Sequence, residues 1–137
     1  MAVAPEAEAL VRGVYDALNR KDIRTALDAA HPDVTWPNGL DGTRVTGLEH
    51  VAGFIERQLR VIDLQFEVQA LEEDPDRPGA VVARVRQVVT FLSDGAVVSD
   101  DVEEHIFQLR DGRIVSVDAR DRDGNPVVPP NQHATDA

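Results

Sequence analysis

The hydrophobic period of this chain changes once, near Arg60, and that change constrains the fold more than any other feature. Before it, apolar residues recur at helical spacing. From Glu6 to Leu18 they fall at Ala7, Leu10, Val11, Val14 and Leu18, one face of a helix. Pro5 suits the first turn and Asn19 the stop. Asp22 can cap a short second helix with Ile23, Ala26, Leu27 and Ala30 inward, ended by His31-Pro32. Residues 33–37 read as a short strand, and Asn38-Gly39 and Asp41-Gly42 as turns. Gly47 then leads into a third helix with Val51, Phe54, Ile55 and Leu59 at helical spacing.

After Arg60 the period is two. Leu64, Phe66, Val68 and Ala70 alternate with polar residues, which marks a half-buried strand. A polar loop over 72–79 precedes a β-branched run over 80–92, turned by Ser93-Asp94-Gly95 into a strand over 96–110. Asp111-Gly112 is a hairpin signal, and the last strand covers 113–121. Helices followed by long antiparallel strands imply an α+β domain over residues 1–121, with the helices on one sheet face. Long strands twist and bend. A curved antiparallel sheet, closed by three helices from the N-terminal half, encloses a cone-shaped pocket. Residues 122–137 are polar, contain Pro126, Pro129 and Pro130, and read as a C-terminal tail.

Composition narrows the partners. Among 137 residues, 25 acidic side chains face 14 basic ones, a formal net charge of -11. Such a surface repels phosphate backbones, so neither nucleic acid nor an anionic membrane is an expected partner. No stretch approaches the roughly 20 apolar residues of a membrane span. The first residues carry no basic segment followed by an apolar one, so a cytoplasmic location is expected. The absence of cysteine excludes disulfides and thiolate chemistry. His31, His50, His105 and His133 have no ligand spacing, so no metal is expected, and with nothing resembling a phosphate-binding Gly-rich loop no other cofactor is expected either.

Strand parity selects the pocket residues. On 96–110, Glu103, His105, Phe107 and Leu109 share the face whose bulky apolar members turn it inward. On 80–92, Arg84 and Arg86 mark the solvated face, which puts Gln87 inward. On 113–121, Val115, Val117 and Ala119 form the apolar face. His105 is the candidate catalytic residue, because an imidazole titrates nearest neutral pH and can serve as general acid or base in a dry pocket. Its plainer role is a hydrogen-bonded core histidine. Glu103 can orient the imidazole or lie at a solvated strand end. Tyr15, the single tyrosine, sits at the edge of the first helix's apolar stripe, as substrate donor or as packing. Trp36 and Asn38 point the same way if the chain is extended across Pro37, although Asn38-Gly39 is also a good turn. Phe54 and, one turn later, Gln58 extend the candidate binding set from the third helix.

The order ααβαββββ resembles the nuclear-transport-factor-2-like superfamily, with its SnoaL-like and ketosteroid-isomerase-like branches. The likeness rests on Tyr15-Asp-Ala-Leu-Asn-Arg-Lys-Asp22, His31-Pro-Asp-Val-Thr-Trp36, Gly47-Leu-Glu-His-Val51 and the Asp111-Gly-Arg-Ile114 hairpin. It covers about residues 6–121. The resemblance implies a homodimer through the convex sheet face, where Val88, Ile106 and Val98 are expected. It also puts Asn38 where ketosteroid isomerases keep a carboxylate base, and an amide cannot take a proton from carbon. His105 falls where that branch places a pocket acid. Trp36 and Asn38 resemble the aromatic and asparagine of limonene-epoxide-hydrolase-like proteins, whose catalytic arginine and aspartates have no counterpart here.

Together these readings point to a protein that binds a small apolar or weakly polar organic molecule. As an enzyme it would be a cofactor-independent isomerase, cyclase, dehydratase or hydrolase using His105, with Tyr15, Trp36, Asn38, Phe54, Gln58, Gln87 and Phe107 holding the substrate. The alternative is a non-catalytic ligand-binding or dimeric scaffold module.

Overall fold

The computed structural model describes residues 3–38 and 42–126. Gly39, Asp41, His133 and the tail from residue 127 therefore lie outside the described residues. Three helices, α1 (Pro5–Asn19), α2 (Ile23–Ala26) and α3 (Leu48–Gln58), join six strands. These are β1 (Ala30–Asn38), β2 (Thr43–Thr46), β3 (Ile62–Glu73), β4 (Ala80–Phe91), β5 (Val97–Arg110) and β6 (Arg113–Arg120).

The helices form for the reasons their sequences carry. Pro5 opens α1, whose face Val11, Val14, Tyr15, Ala17 and Leu18 is buried. Asp22 caps α2 by accepting from the Thr25 amide at 3.2 Å and the Thr25 hydroxyl at 2.7 Å. That helix is four residues long, because the chain enters β1 at Ala30 and does not continue helically to His31. Gly47 begins α3 with φ of 99°, a backbone conformation that strains any residue with a Cβ. Its amide donates to the Val34 carbonyl at 2.9 Å, tying the helix start to β1.

The sheet order is β2-β1-β6-β5-β4-β3. All neighbouring pairs are antiparallel except β1 and β6, which run parallel, so the sheet is mixed. The β1–β6 register is irregular between Ala30 and Thr35, the stretch containing Pro32, which has no amide to give a ladder. The four-residue β2 falls between the Asp41-Gly42 turn and Gly47, where no element was expected. Its two-residue alternation is too short to register in a sequence, and Arg44 holds it instead. That guanidinium donates to the Asp118 carboxylate at 2.6 Å, the Thr35 hydroxyl at 2.8 Å and the Val117 carbonyl at 2.7 Å.

Irregularities within β3–β4, β4–β5 and β5–β6 bend the sheet. α1 packs on β3 at one end, and α3 packs on β1 and β2 at the other. The core fills the space between, with Val11, Val34, Val51, Ile55, Val85, Phe107 and Ile114 essentially inaccessible. Two side chains seal edge strand β3. The Asn19 amide gives a hydrogen bond to the Phe66 carbonyl at 2.9 Å and accepts one from the Phe66 amide at 2.8 Å. Lys21 donates to the Leu64 carbonyl at 3.0 Å and pairs with Asp63. The end of α1 thus satisfies an edge that would otherwise offer its backbone to another strand.

Candidate functional site

Alternation along β5 turns Glu103, His105 and Phe107 toward the helices, and α1 brings Tyr15 down onto them. The Tyr15 hydroxyl lies 2.7 Å from His105 Nδ1. His105 Nε2 lies 3.1 Å from Glu103 Oε1. An ionised carboxylate only accepts hydrogen bonds, so Nε2 carries the proton of the neutral imidazole and donates it to Glu103. Nδ1 keeps its lone pair and accepts the Tyr15 O–H. Both ring nitrogens are thereby engaged. Tyr15 is buried, and the His105 side chain is 11% exposed against 21% for that of Glu103. Glu103 therefore offers the open polar surface of the three.

Burial pushes the Tyr15 phenol well above its ordinary pKa, and the negative charge of Glu103 adds to that push. Tyr15 is thus a donor, not a phenolate, at any ordinary pH. A proton arriving at Nδ1 would reverse the link: the tyrosine oxygen would accept from the ring and its own O–H would be released to a ligand. Aromatic rings pack around the arrangement. Tyr15 lies 5.3 Å from Phe66 and 5.7 Å, edge-on, from Phe107, and Phe66 lies 6.2 Å, edge-on, from His105.

These groups form one wall of a cavity of about 260 Å³. His105, Tyr15, Trp36, Phe54, Gln58, Gln87 and Phe107 all line it, as the parity and helix-face readings require. Asn38 does not. It closes β1 in continuous register, opposite Thr43 of β2, and lies outside the residues that line the cavity. Phe66 lines the cavity and was not singled out. Its inward alternation with Leu64 was the available signal.

Irregular registers explain two further corrections. Between β5 and β6, Gln108 faces Ser116 while Leu109 faces Ile114, which leaves Val115 bulged. Ile114 is consequently fully buried, and Val117 and Ala119, without Val115, line the cavity. Between β4 and β5, Val89 faces Ser99 while Thr90 faces Val97. The bulged Val98 turns into the cavity and, at 47% exposure, marks its mouth. Val98 is therefore not on the convex face, and Ile106, 4% exposed, is already covered within the chain.

Among the described residues no three His, Asp or Glu side chains converge as a metal-binding group. No helix among them is long and apolar enough to cross a membrane.

A bent six-stranded sheet, with helices across its concave face and a ligand-sized hollow between them, is the nuclear-transport-factor-2-like cone. Within that class the chain belongs to the SnoaL-like domain family, which matches residues 11–117. Among solved structures it is similar to a candidate polyketide cyclase from Xanthomonas campestris pv. campestris, with 22% identity, a TM-score of 0.73, and 83% of this chain and 88% of that chain covered. It is also similar to TerC co-crystallised with polyporic acid, at 21% identity and a TM-score of 0.71, covering 88% of this chain and 93% of that one. An LEH-like epoxide hydrolase from M. tuberculosis matches at 20% identity and a TM-score of 0.69, covering 82% and 79% respectively. At these identities the likeness establishes the fold. No curated protein sequence matches the chain.

Proposed function

We propose that this protein binds a small, largely apolar organic molecule in the cavity and moves a proton on it as a cofactor-independent isomerase, cyclase, dehydratase or hydrolase. The observation that carries this reading is the hydrogen-bonded Tyr15–His105–Glu103 chain in the wall of an aromatic hollow. A volume of about 260 Å³ lies just under the roughly 300–1,000 Å³ common for ligand pockets, which suits a molecule of one or two rings. The polyketide cyclase and epoxide hydrolase named for similar structures, and the polyporic acid bound to TerC, are in keeping with small organic substrates.

In this reading Glu103 takes a proton from a carbon next to a substrate carbonyl. The electron pair moves onto the carbonyl oxygen, which a Gln58 or Gln87 amide meets as donor. His105, held by Tyr15, donates to Glu103 and sets its basicity. Returning the proton at another carbon isomerises the substrate; alternatively the enolate carbon attacks a second carbonyl, closing a ring as that C=O π pair moves to its oxygen, and Glu103 returns its proton to the resulting alkoxide. Exchange of the α-hydrogens of 2-indanone in D₂O, followed by proton NMR, tests this. The protein is expected to accelerate exchange, and His105→Ala and Glu103→Gln to lower the acceleration by about 100-fold or more. Exchange at the buffer rate ends the catalytic reading.

A second reading, a ligand-binding module without turnover, is favoured by one observation: both nitrogens of His105 already have protein partners. Binding of 2-naphthol, seen at Trp36, without exchange of 2-indanone would establish it. The family resemblance further supports a homodimer and a cytoplasmic location. A clean monomer in sedimentation at micromolar concentration would remove the dimer.

A further inference from the structure

The chain contains one tyrosine, one tryptophan and four phenylalanines, and all of them except Phe91 line the cavity. Tyr15, Phe66 and Phe107 build its floor, while Trp36, Phe54 and Phe66 keep partly open surfaces. The charge on this lining has one sign. Glu103 is the sole lining carboxylate among the described residues, and no Lys or Arg side chain among them lines the cavity. The residues outside the described set include no Lys or Arg.

Strand parity produces this separation. The side chains next to the inward set on β4, β5 and β6 alternate outward, and Arg84, Arg86 and Arg120 are among them. Arg86 pairs with Asp100 and Arg120 with Glu104 on that outer side. Arg44 is held by Asp118. Lys21 is held by Asp63 at the β3 edge. No lysine or arginine lines the hollow to meet an anionic ligand, so a carboxylate or phosphate entering it would lose its hydration and face Glu103. A substituted ammonium meets the opposite situation. It is weakly hydrated, its N-methyl groups pack on ring faces, and its charge is drawn both to the rings and to Glu103.

We infer that the cavity is selective by charge, and that its ligand's ionisable group is a cationic, alkylated amine. This rests on the reading of the hollow as a ligand site and narrows the class of ligand. The test uses three shape-matched molecules: choline, its neutral carbon isostere 3,3-dimethylbutan-1-ol, and the anion 3,3-dimethylbutanoate. Trp36 is the only tryptophan, so its indole N–H resonance reports occupancy without ambiguity.

Choline is expected to shift that resonance with a Kd at least about ten-fold below that of the alcohol, and the anion not to bind. Glu103→Gln, similar in shape and uncharged, is expected to bring choline and the alcohol closer together. The wild-type ranking stands whether or not that variant folds. Equal or tighter binding of the alcohol, or any binding of the anion, overturns the charge assignment and leaves the hollow as a ligand site. If none of the three binds, the assignment also falls. If 2-naphthol then fails as well, the ligand-site reading falls with it.

Discussion

Tyr15 on α1 and His105 on β5, 90 positions apart in the chain, meet through a 2.7 Å hydrogen bond between the phenol oxygen and Nδ1. This bond joins the first helix to the fifth strand across the floor of the cavity. With Glu103 on Nε2 it gives the imidazole a single tautomer. At about pH 8, nitrogen NMR of His105 is expected to report a protonated Nε2 and an unprotonated Nδ1. Glu103→Gln should relax that preference, since an amide can donate as well as accept. The reverse tautomer in the wild type would contradict the hydrogen-bond directions given above.

Alkaline stability should depend on Tyr15. Its folded pKa lies well above the unfolded value near 10. Above about pH 10 the unfolded chain has lost this proton and the folded chain retains it, so stability falls as pH rises. Urea unfolding at pH values from about 9 to 11 should give a declining free energy, and Tyr15→Phe should remove that part of the slope. An unchanged slope in the variant would assign the decline to other groups.

Asn19 substitutes for a missing strand partner at the edge of β3. Asn19→Ala leaves the Phe66 amide and carbonyl without their side-chain partner, so a loss of about 1–3 kcal/mol is expected in chemical denaturation. Because Phe66 lines the cavity, ligand binding should weaken as well. Amide hydrogen exchange at Phe66 should accelerate in the variant.

Gly79 enters β4 at φ of 83°, where an added Cβ would stand 2.9 Å from the Leu109 carbonyl oxygen. Its own carbonyl accepts from the Leu109 amide at 2.9 Å, so the approach is part of the sheet. Gly79→Ala combines backbone strain with a clash against main chain and should cost about 1–3 kcal/mol. Gly95→Ala, at a φ of 74° with open space around it, is the control and should cost less.

Arg44 is 11% exposed at its side chain and holds β2 to β1 and β6 through three acceptors. Arg44→Met keeps the apolar stem and removes all three bonds. A loss of about 2–4 kcal/mol is expected, because the Val117 carbonyl and the Asp118 carboxylate lose their donor. Thermal unfolding measures it directly. A variant as stable as the parent would mean that β2 is held by its backbone ladder alone.

The order of elements was legible because each long element has its own period. The α1 stripe, the alternation of β3 from Leu64 to Val68 and the inward parity of His105 and Gln87 match the structure, whereas Ala70 is exposed and Leu71 packs on the core in its place. Reading failed where the count slipped. One bulged residue each at Gln69, Val98 and Val115 sent side chains to places that strict alternation does not allow. β2 was missed because four residues cannot establish a period. Asn38 continues β1 as an extended residue, as its spacing from Trp36 suggests, yet it lies beyond the cavity lining, and alternation alone carries no information on where a cavity ends.

Local chemistry along the chain was enough to determine that helices precede the long strands, that one face of each long strand is apolar, and that the one inward histidine lies on the penultimate strand. It could not determine that Tyr15 would reach His105, that Glu103 would close the other side of the ring, or that every lysine and arginine would be kept out of the cavity. Those relations join residues tens of positions apart. Only packing of α1 against the bent sheet brings them within hydrogen-bonding distance, because periodicity orients a side chain and tertiary contact alone supplies its partner.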